Sequence, residues 1–263
     1  MLLNFAFAKD VSDKALNYEV VKQNNHVIHI LKINPNNYRL ELAQANDASS
    51  NRETVPSMVA RTKAIAGING GFFQMQGGKA KATGTLIVNG NVYSLSNGMR
   101  SVLIIDQGKA QITKAQVIKR GQTVKLQTSS GKMIVDPKNV VTGIPMLVMN
   151  GRIAPYLNKS GSASFVNSPH ARTAIGTQKD GTVIMVVAEN GYGSVGATGL
   201  TLPELANFML QLKCEQAMNL DGGGSSTLVY DGEVQNSTIG DLDEAMGLQT
   251  VRPVFDGVLV QKR

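Results

Sequence analysis

The sequence predicts an α+β fold: a mostly antiparallel, hairpin-rich sheet with a strand–helix–strand unit carrying the candidate site. Three observations lead there. Asn-Gly or Asp-Gly occurs nine times in 263 residues, and several copies sit between short β-branched runs. Gly, Asn and Asp supply the positive φ angles that two-residue hairpin turns need. Helical periodicity is limited to one strong segment and one weak one. The strong helix lies between two strand-like runs, 183–189 and 216–220, and each of these ends at a carboxylate, Glu189 and Asp221.

Taken in order, the chain opens on MLLNFAFA, a short apolar piece ending in Ala6-Phe7-Ala8. Small residues in an A-x-A pattern are what signal peptidase leaves behind. Residues 1–8 therefore read as the remnant of a truncated signal peptide, which predicts a bacterial protein exported to the periplasm or beyond. A buried first strand is the alternative. Residues 27–31 form an early strand on which His26 and His29 face opposite sides, a poor metal pair. The 46–51 segment is a loop and 57–65 the weak helix. Residues 87–92, 147–153 and 228–234 are hairpins around Asn89-Gly90, Asn150-Gly151 and Asp231-Gly232. Further strands are expected at 102–106, 117–125 and 254–260. The 158–169 stretch, rich in Ser, Asn and Gly, is long enough for a lid or binding loop.

The strong helix spans 201–213. Thr201 caps it, Pro203 is tolerated in its first turn, and Glu204 completes a capping box. Leu202, Leu205, Ala206, Met209 and Leu212 fall on one face. Cys214 is expected on this helix as a small apolar core residue. No linker or internal repeat interrupts 9–263, which reads as one domain.

Composition narrows the function. With 42% hydrophobic and 17% charged residues, the chain can build a core and is too weakly charged for disorder. No apolar run approaches the roughly 20 residues of a membrane helix. One cysteine leaves no internal disulfide framework and no multi-cysteine zinc site. Trp is absent and aromatics are 5%, which argues against stacking bases or sugars on aromatic platforms. The formal charge is +7. Spread out, it is a solvated surface; gathered in a cleft, it attracts anions such as phosphate esters. No polybasic block points to nucleic acid.

Three segments carry chemistry. NLDGGGSST at 219–227 sets Asp221 beside three glycines whose bare N–H groups can cradle an anion. It is neither a Walker loop nor a Rossmann fingerprint. INGGFF at 68–73 offers Asn69, both donor and acceptor, to a sugar hydroxyl or phosphate oxygen, with Phe72 and Phe73 reading as core. PHARTAIG at 169–176 places His170 and Arg172 at a strand start, a proton carrier and a bidentate phosphate ligand; Arg172 fixing a loop carboxylate is the competing reading. The acidic run Asp241, Asp243 and Glu244 reads as a solvated loop, and no metal is assigned.

GINGGFF, PHARTAIG, GLTLPELANFMLQL, AMNLDGGGSST and Arg252-Pro253-Val254 together resemble the phosphodiester glycosidase family in order and spacing, from about residue 64 to the C-terminus. The chain departs from the family pattern at Ala171, where Pro is common, and at 189–191, where many bacterial members have Asp-Gly-Arg. The resemblance implies hydrolysis of a sugar-1-phosphodiester at the anomeric C–O bond, giving free sugar and a phosphomonoester, without a cofactor. The candidate catalytic residues are Asp221 as base or nucleophile, Glu189 as second carboxylate and His170. Substrate binding falls to Asn69, Gly70, Gly71, Arg172, Thr173, Gly222, Gly223, Gly224, Ser225 and Arg252. An anionic glycosyl phosphodiester, such as an envelope polymer or exopolysaccharide, is the expected partner. A metal-assisted P–O phosphodiesterase and a non-catalytic polysaccharide-binding module are the rival readings.

Overall fold

The computed structural model describes residues 15–191, 197–238, 242–243 and 248–263. Residues 1–8, Asp241, Glu244 and the Asp243 side chain lie outside the described residues.

Antiparallel sheets dominate, as the hairpin signals predict. The first has seven strands in the order Leu16–Gln23, His26–Ile33, Val183–Ala188, Arg172–Gln178, Cys214–Asn219, Met146–Met149 and Arg152–Ile153. The second also has seven: Met133–Val135, Thr123–Thr128, Lys109–Arg120, Met99–Asp106, Asn139–Gly143, Leu86–Val88 and Asn91–Ser94. The third has five: Glu233–Val234, Leu228–Tyr230, Ala66–Asn69, Asp256–Lys262 and Tyr38–Gln44. One core joins all three, with Leu31 and Met185 from the first sheet, Leu103 and Ile105 from the second, and Ile68 and Val258 from the third. The helix Leu202–Gln211 covers the other face of the first sheet, packing Leu205, Phe208 and Met209 against Ile30, Ile184 and Ala217.

Local chemistry accounts for the element ends. Thr201 accepts from the Glu204 N–H while the Glu204 carboxylate accepts from the Thr201 N–H at 2.9 Å, the expected capping box. The three expected hairpins turn on Asn89-Gly90, Asn150-Gly151 and Asp231-Gly232, all at positive φ. Asn24-Asn25, Gly77-Gly78 and Gln107-Gly108 make further such turns, the last of which Gln does not advertise.

Four local expectations need correction. The run 117–125, expected as one strand, is broken by a turn at Gly121, at φ 58°, into the paired strands Lys109–Arg120 and Thr123–Thr128. The weak helix runs Val55–Thr62, earlier than 57–65, because Thr54 caps it and Lys63, at φ 58°, ends it. Cys214 opens the strand Cys214–Asn219 rather than sitting on the helix, although it is buried as expected. The 158–169 stretch is not a bare loop, since it holds most of a 3-10 turn, Leu157–Lys159, and the short helix Ala163–Asn167, capped by Ser162.

Strand direction positions the site. Val183–Ala188 and Cys214–Asn219 each pair antiparallel with Arg172–Gln178, which lies between them. Their C-terminal ends therefore emerge on one edge of the first sheet, where Arg172 begins. The third sheet meets that edge through Asn69 and Asp256.

Candidate functional site

Asp221 lies just past the strand Cys214–Asn219, partly exposed. Its Oδ2 accepts from Ser225 Oγ at 2.8 Å and its Oδ1 from the Gly222 N–H at 2.9 Å. Burial pushes its pKa above the ordinary carboxylate value, while the Ser225 and Gly222 bonds and the Arg252 charge pull it back. A Cβ on Gly224 would overlap the Arg252 guanidinium, so the glycine lets Arg252 pack flat against the loop that carries Asp221. Gly223, at φ 59°, makes the bend.

Asn69 serves the backbone rather than open space. It is fully buried, and its Nδ2 donates to the Asp221 carbonyl at 2.8 Å. Its Oδ1 accepts from Thr173 Oγ1 at 2.7 Å and from the Thr227 N–H at 3.2 Å. Thr173, also buried, accepts from the Leu220 N–H through its carbonyl. The two residues thus clamp the Asp221 loop from both sides. Gly70 belongs to the same clamp, because its carbonyl accepts from the Asp221 N–H at 3.1 Å.

Two glycine N–H groups expected to cradle an anion are used internally. Gly222 donates to Asp221 and Gly223 to the Ala171 carbonyl at 2.8 Å. Arg172 is likewise engaged: only 2% exposed, it donates from Nε to Leu200 O and from Nη2 to Phe165 O and Ser168 O. Its guanidinium lies over the Phe165 ring, 5.3 Å from the centroid. Burial lowers its pKa to about 10. Three donated bonds to carbonyls make it a brace for the helix Ala163–Asn167 and the 200 segment. The guanidinium that acts on Asp221 is Arg252.

Glu189 and Asp221 emerge on the same edge, with the strand Arg172–Gln178 between their strands. Glu189 is buried, and its Oε1 accepts from the Ser237 N–H at 2.8 Å and pairs with His29 Nε2 at 2.7 Å. His29 Nδ1 in turn meets Tyr18 Oη at 2.7 Å. His170, half-buried, bridges to Leu200 through its backbone.

Asp256 is a residue the sequence reading missed. It opens the strand Asp256–Lys262 and is 1% exposed. Its Oδ1 accepts from the Gly71 N–H at 2.8 Å, and its carbonyl accepts from the Gly70 N–H. A Cβ on Gly70 would overlap Oδ1. Oδ2 has no hydrogen-bond partner among the described residues. Burial pushes the pKa up to about 7; the Gly71 bond opposes this, and the Asp221 charge adds to it. Asp221 and Asp256 are thus a pair of interacting carboxyls in unequal surroundings, the arrangement that separates an acid form from a basic one. The available signal was a carboxylate inside the otherwise apolar run 254–260. Among the described residues no three His, Cys, Asp or Glu side chains gather as a metal site.

Residues 62–261 match the model of a family described as phosphodiester glycosidase. The mouse protein named N-acetylglucosamine-1-phosphodiester alpha-N-acetylglucosaminidase is 33% identical over 201 residues, covering 70% of this chain and 35% of that protein. Its human counterpart is 31% identical over 201 residues, again covering 70% of this chain and 35% of that protein. The chain thus spans about a third of the length of these curated relatives. Among solved structures, the zebrafish catalytic domain of the same name, auto-inhibited by its pro-peptide, superposes with a TM-score of 0.67 at 20% identity, covering 99% of this chain and 87% of that one. A hypothetical protein from Synechocystis gives a TM-score of 0.65 at 17% identity over 94% of this chain and 62% of that one. At these identities the structures establish a shared fold.

Proposed function

The chain belongs to the phosphodiester glycosidase family, and from that membership and the Asp221 site we infer that it hydrolyses a glycosyl phosphodiester at the anomeric C–O bond. The observation that carries the reading is Asp221 itself: a partly exposed carboxylate, fixed by Ser225 and Gly222, with the Arg252 charge acting on it.

In the reaction, Asp221 attacks the anomeric carbon or takes a proton from the attacking water. The bond from that carbon to the phosphate oxygen breaks, and the electron pair leaves with the phosphate. A phosphate monoester is a far better leaving group than a sugar alkoxide, which lowers the demand for a strong general acid. Arg252 balances the charge that grows on it. Glu189 is the second carboxylate, its orientation set by His29 and the Ser237 N–H. Asp256 acts behind Asp221 by holding Gly70 and Gly71. His170, two residues before Arg172, is the proton carrier in this reading. N-acetylglucosamine is the sugar the relatives' names suggest. We propose an exported bacterial enzyme acting on an envelope polymer or exopolysaccharide as its setting.

Turnover of a panel of glycosyl phosphodiesters by the full chain and by Asp221→Asn tests this. The reading predicts that the substitution lowers kcat by about 10³-fold or more with binding retained. Loss of binding with no turnover in either protein would favour a binding module instead.

A further inference from the structure

The +7 charge left a question: whether any of it gathers in a cleft. It does, where the chain crosses from the second sheet to the first. A cavity of about 280 Å³ there is lined by Arg100, Lys114 and Lys159, with Met99, Pro145 and Met146 as apolar wall. A second cavity, of about 670 Å³, shares Lys114, Met146 and Met149 with it, so the two form one groove. Among the described residues, no Asp or Glu lines either part.

Lys114 is the informative residue. Along its strand, Ala110 and Ile112 face the core between the sheets, and side chains alternate along a strand. Lys114 continues that inward row and stands opposite Ser101 in the register. It is half-buried and has no carboxylate partner among the described residues. A partly desolvated cation on an inward row favours an anion as neighbour. The second cavity differs in chemistry. Gln111, Thr113, Ser129, Ser130, Asn150 and Gln216 give it amides and hydroxyls, the donor and acceptor mixture that suits a polyol. Among the described residues its lining has no aromatic side chain on which a base would stack.

The groove wall is also hydrogen-bonded to the strand that leads into Asp221. Ile144 and Pro145 form part of its wall, and their carbonyls accept from Asn219 Nδ2 at 2.7 Å and from the Asn219 N–H at 2.9 Å. Asn219 lies two residues before Asp221.

We propose that this groove binds a phosphodiester-linked glycan or polyol chain, with phosphates on Arg100, Lys114 and Lys159 and hydroxyls along the amide-lined part. The substrate of the Asp221 site is then one unit of such a polymer, which rests on the glycosidase reading; the binding itself does not.

The test uses the full chain carrying Asp221→Asn, so that nothing is consumed. Titration calorimetry compares a poly(glycerol phosphate) chain of about ten units, inorganic polyphosphate of equal charge and a ten-residue oligothymidylate. The proposal predicts that the glycerol polymer binds most tightly. Adding Arg100→Ala with Lys114→Ala, or Lys114→Gln alone, should weaken it about tenfold or more, as expected for lost charge-assisted bonds. Lys179→Ala, a lysine outside the groove, should leave binding unchanged. Equal binding of polyphosphate would reduce the groove to ion exchange and overturn the proposal, and tighter oligothymidylate binding would assign it to nucleic acid. Polymer binding that ignores both groove variants overturns it too. Binding with no cleavage of any glycosyl phosphodiester by the unsubstituted enzyme would instead contradict the catalytic reading and leave the groove standing.

Discussion

Asp221 and Asp256 reach one locality from different sheets, and burial raises the pKa of both. For Asp256 the consequence is a pH dependence with a definite sign. An unfolded aspartate titrates near 3.9, whereas the folded group titrates at about 7. Below about pH 4 both states hold the proton and ionisation costs nothing. Between the two values only the folded state holds it, so stability falls as pH rises. Above pH 7 the loss is complete, up to about 4 kcal/mol. Asp256→Asn does not titrate there, so denaturant midpoints measured at pH 4.5 and 7.5 should differ less in the variant than in the parent. Equal differences in both proteins would show that Asp256 is ionised throughout. Asp221 was legible from sequence because an acid beside three glycines is chemically odd wherever it falls. Asp256 was not, because its meaning comes from Gly70 and Gly71, 185 residues upstream at Gly71. The same limit hid how Arg172 is used. Nothing local to Arg172 reveals that its donors end on three backbone carbonyls.

At the level of elements, short-range signals read best where a backbone rule decides the outcome. The 201–213 helix signal names Thr201 and Glu204, and both cap bonds form. Thr201→Ala should cost about 1 kcal/mol, read as a lower midpoint in urea with an unchanged m-value. No shift would mean that packing of Leu205 and Phe208 alone sets where the helix starts. The weak helix was misplaced because its periodicity does not mark its start; Thr54 and Pro56 do. The Gln107-Gly108 turn was missed for a related reason. Gln has no special tolerance for positive φ, and here pairing of Met99–Asp106 with Lys109–Arg120 imposes the turn.

On the scale of the molecule, the site exists only because two sheets are locked together, and Asn69 is the principal lock. Its amide ties the third sheet to the Asp221 carbonyl, to Thr173 in the first sheet and to the Thr227 N–H. Asn69→Ala leaves those buried groups unpaired. It should cost on the order of 3 kcal/mol and lower turnover of the remaining folded enzyme, checked by denaturation beside kcat. Full activity in the variant would mean that the sheets hold Asp221 without it. The antiparallel architecture was legible from hairpin turns, but the strand order was not, because pairing such as Val183–Ala188 with His26–Ile33 joins segments far apart in the chain.

The proposed reaction turns on cleavage of the anomeric C–O bond. Hydrolysis of an N-acetylglucosamine-1-phosphodiester in ¹⁸O-labelled water, with the products resolved by mass spectrometry, tests it most directly. Anomeric cleavage puts the label in the sugar and none in the phosphomonoester, with no labelled sugar from Asp221→Asn. Label in the phosphate would place the cut at the P–O bond and contradict it.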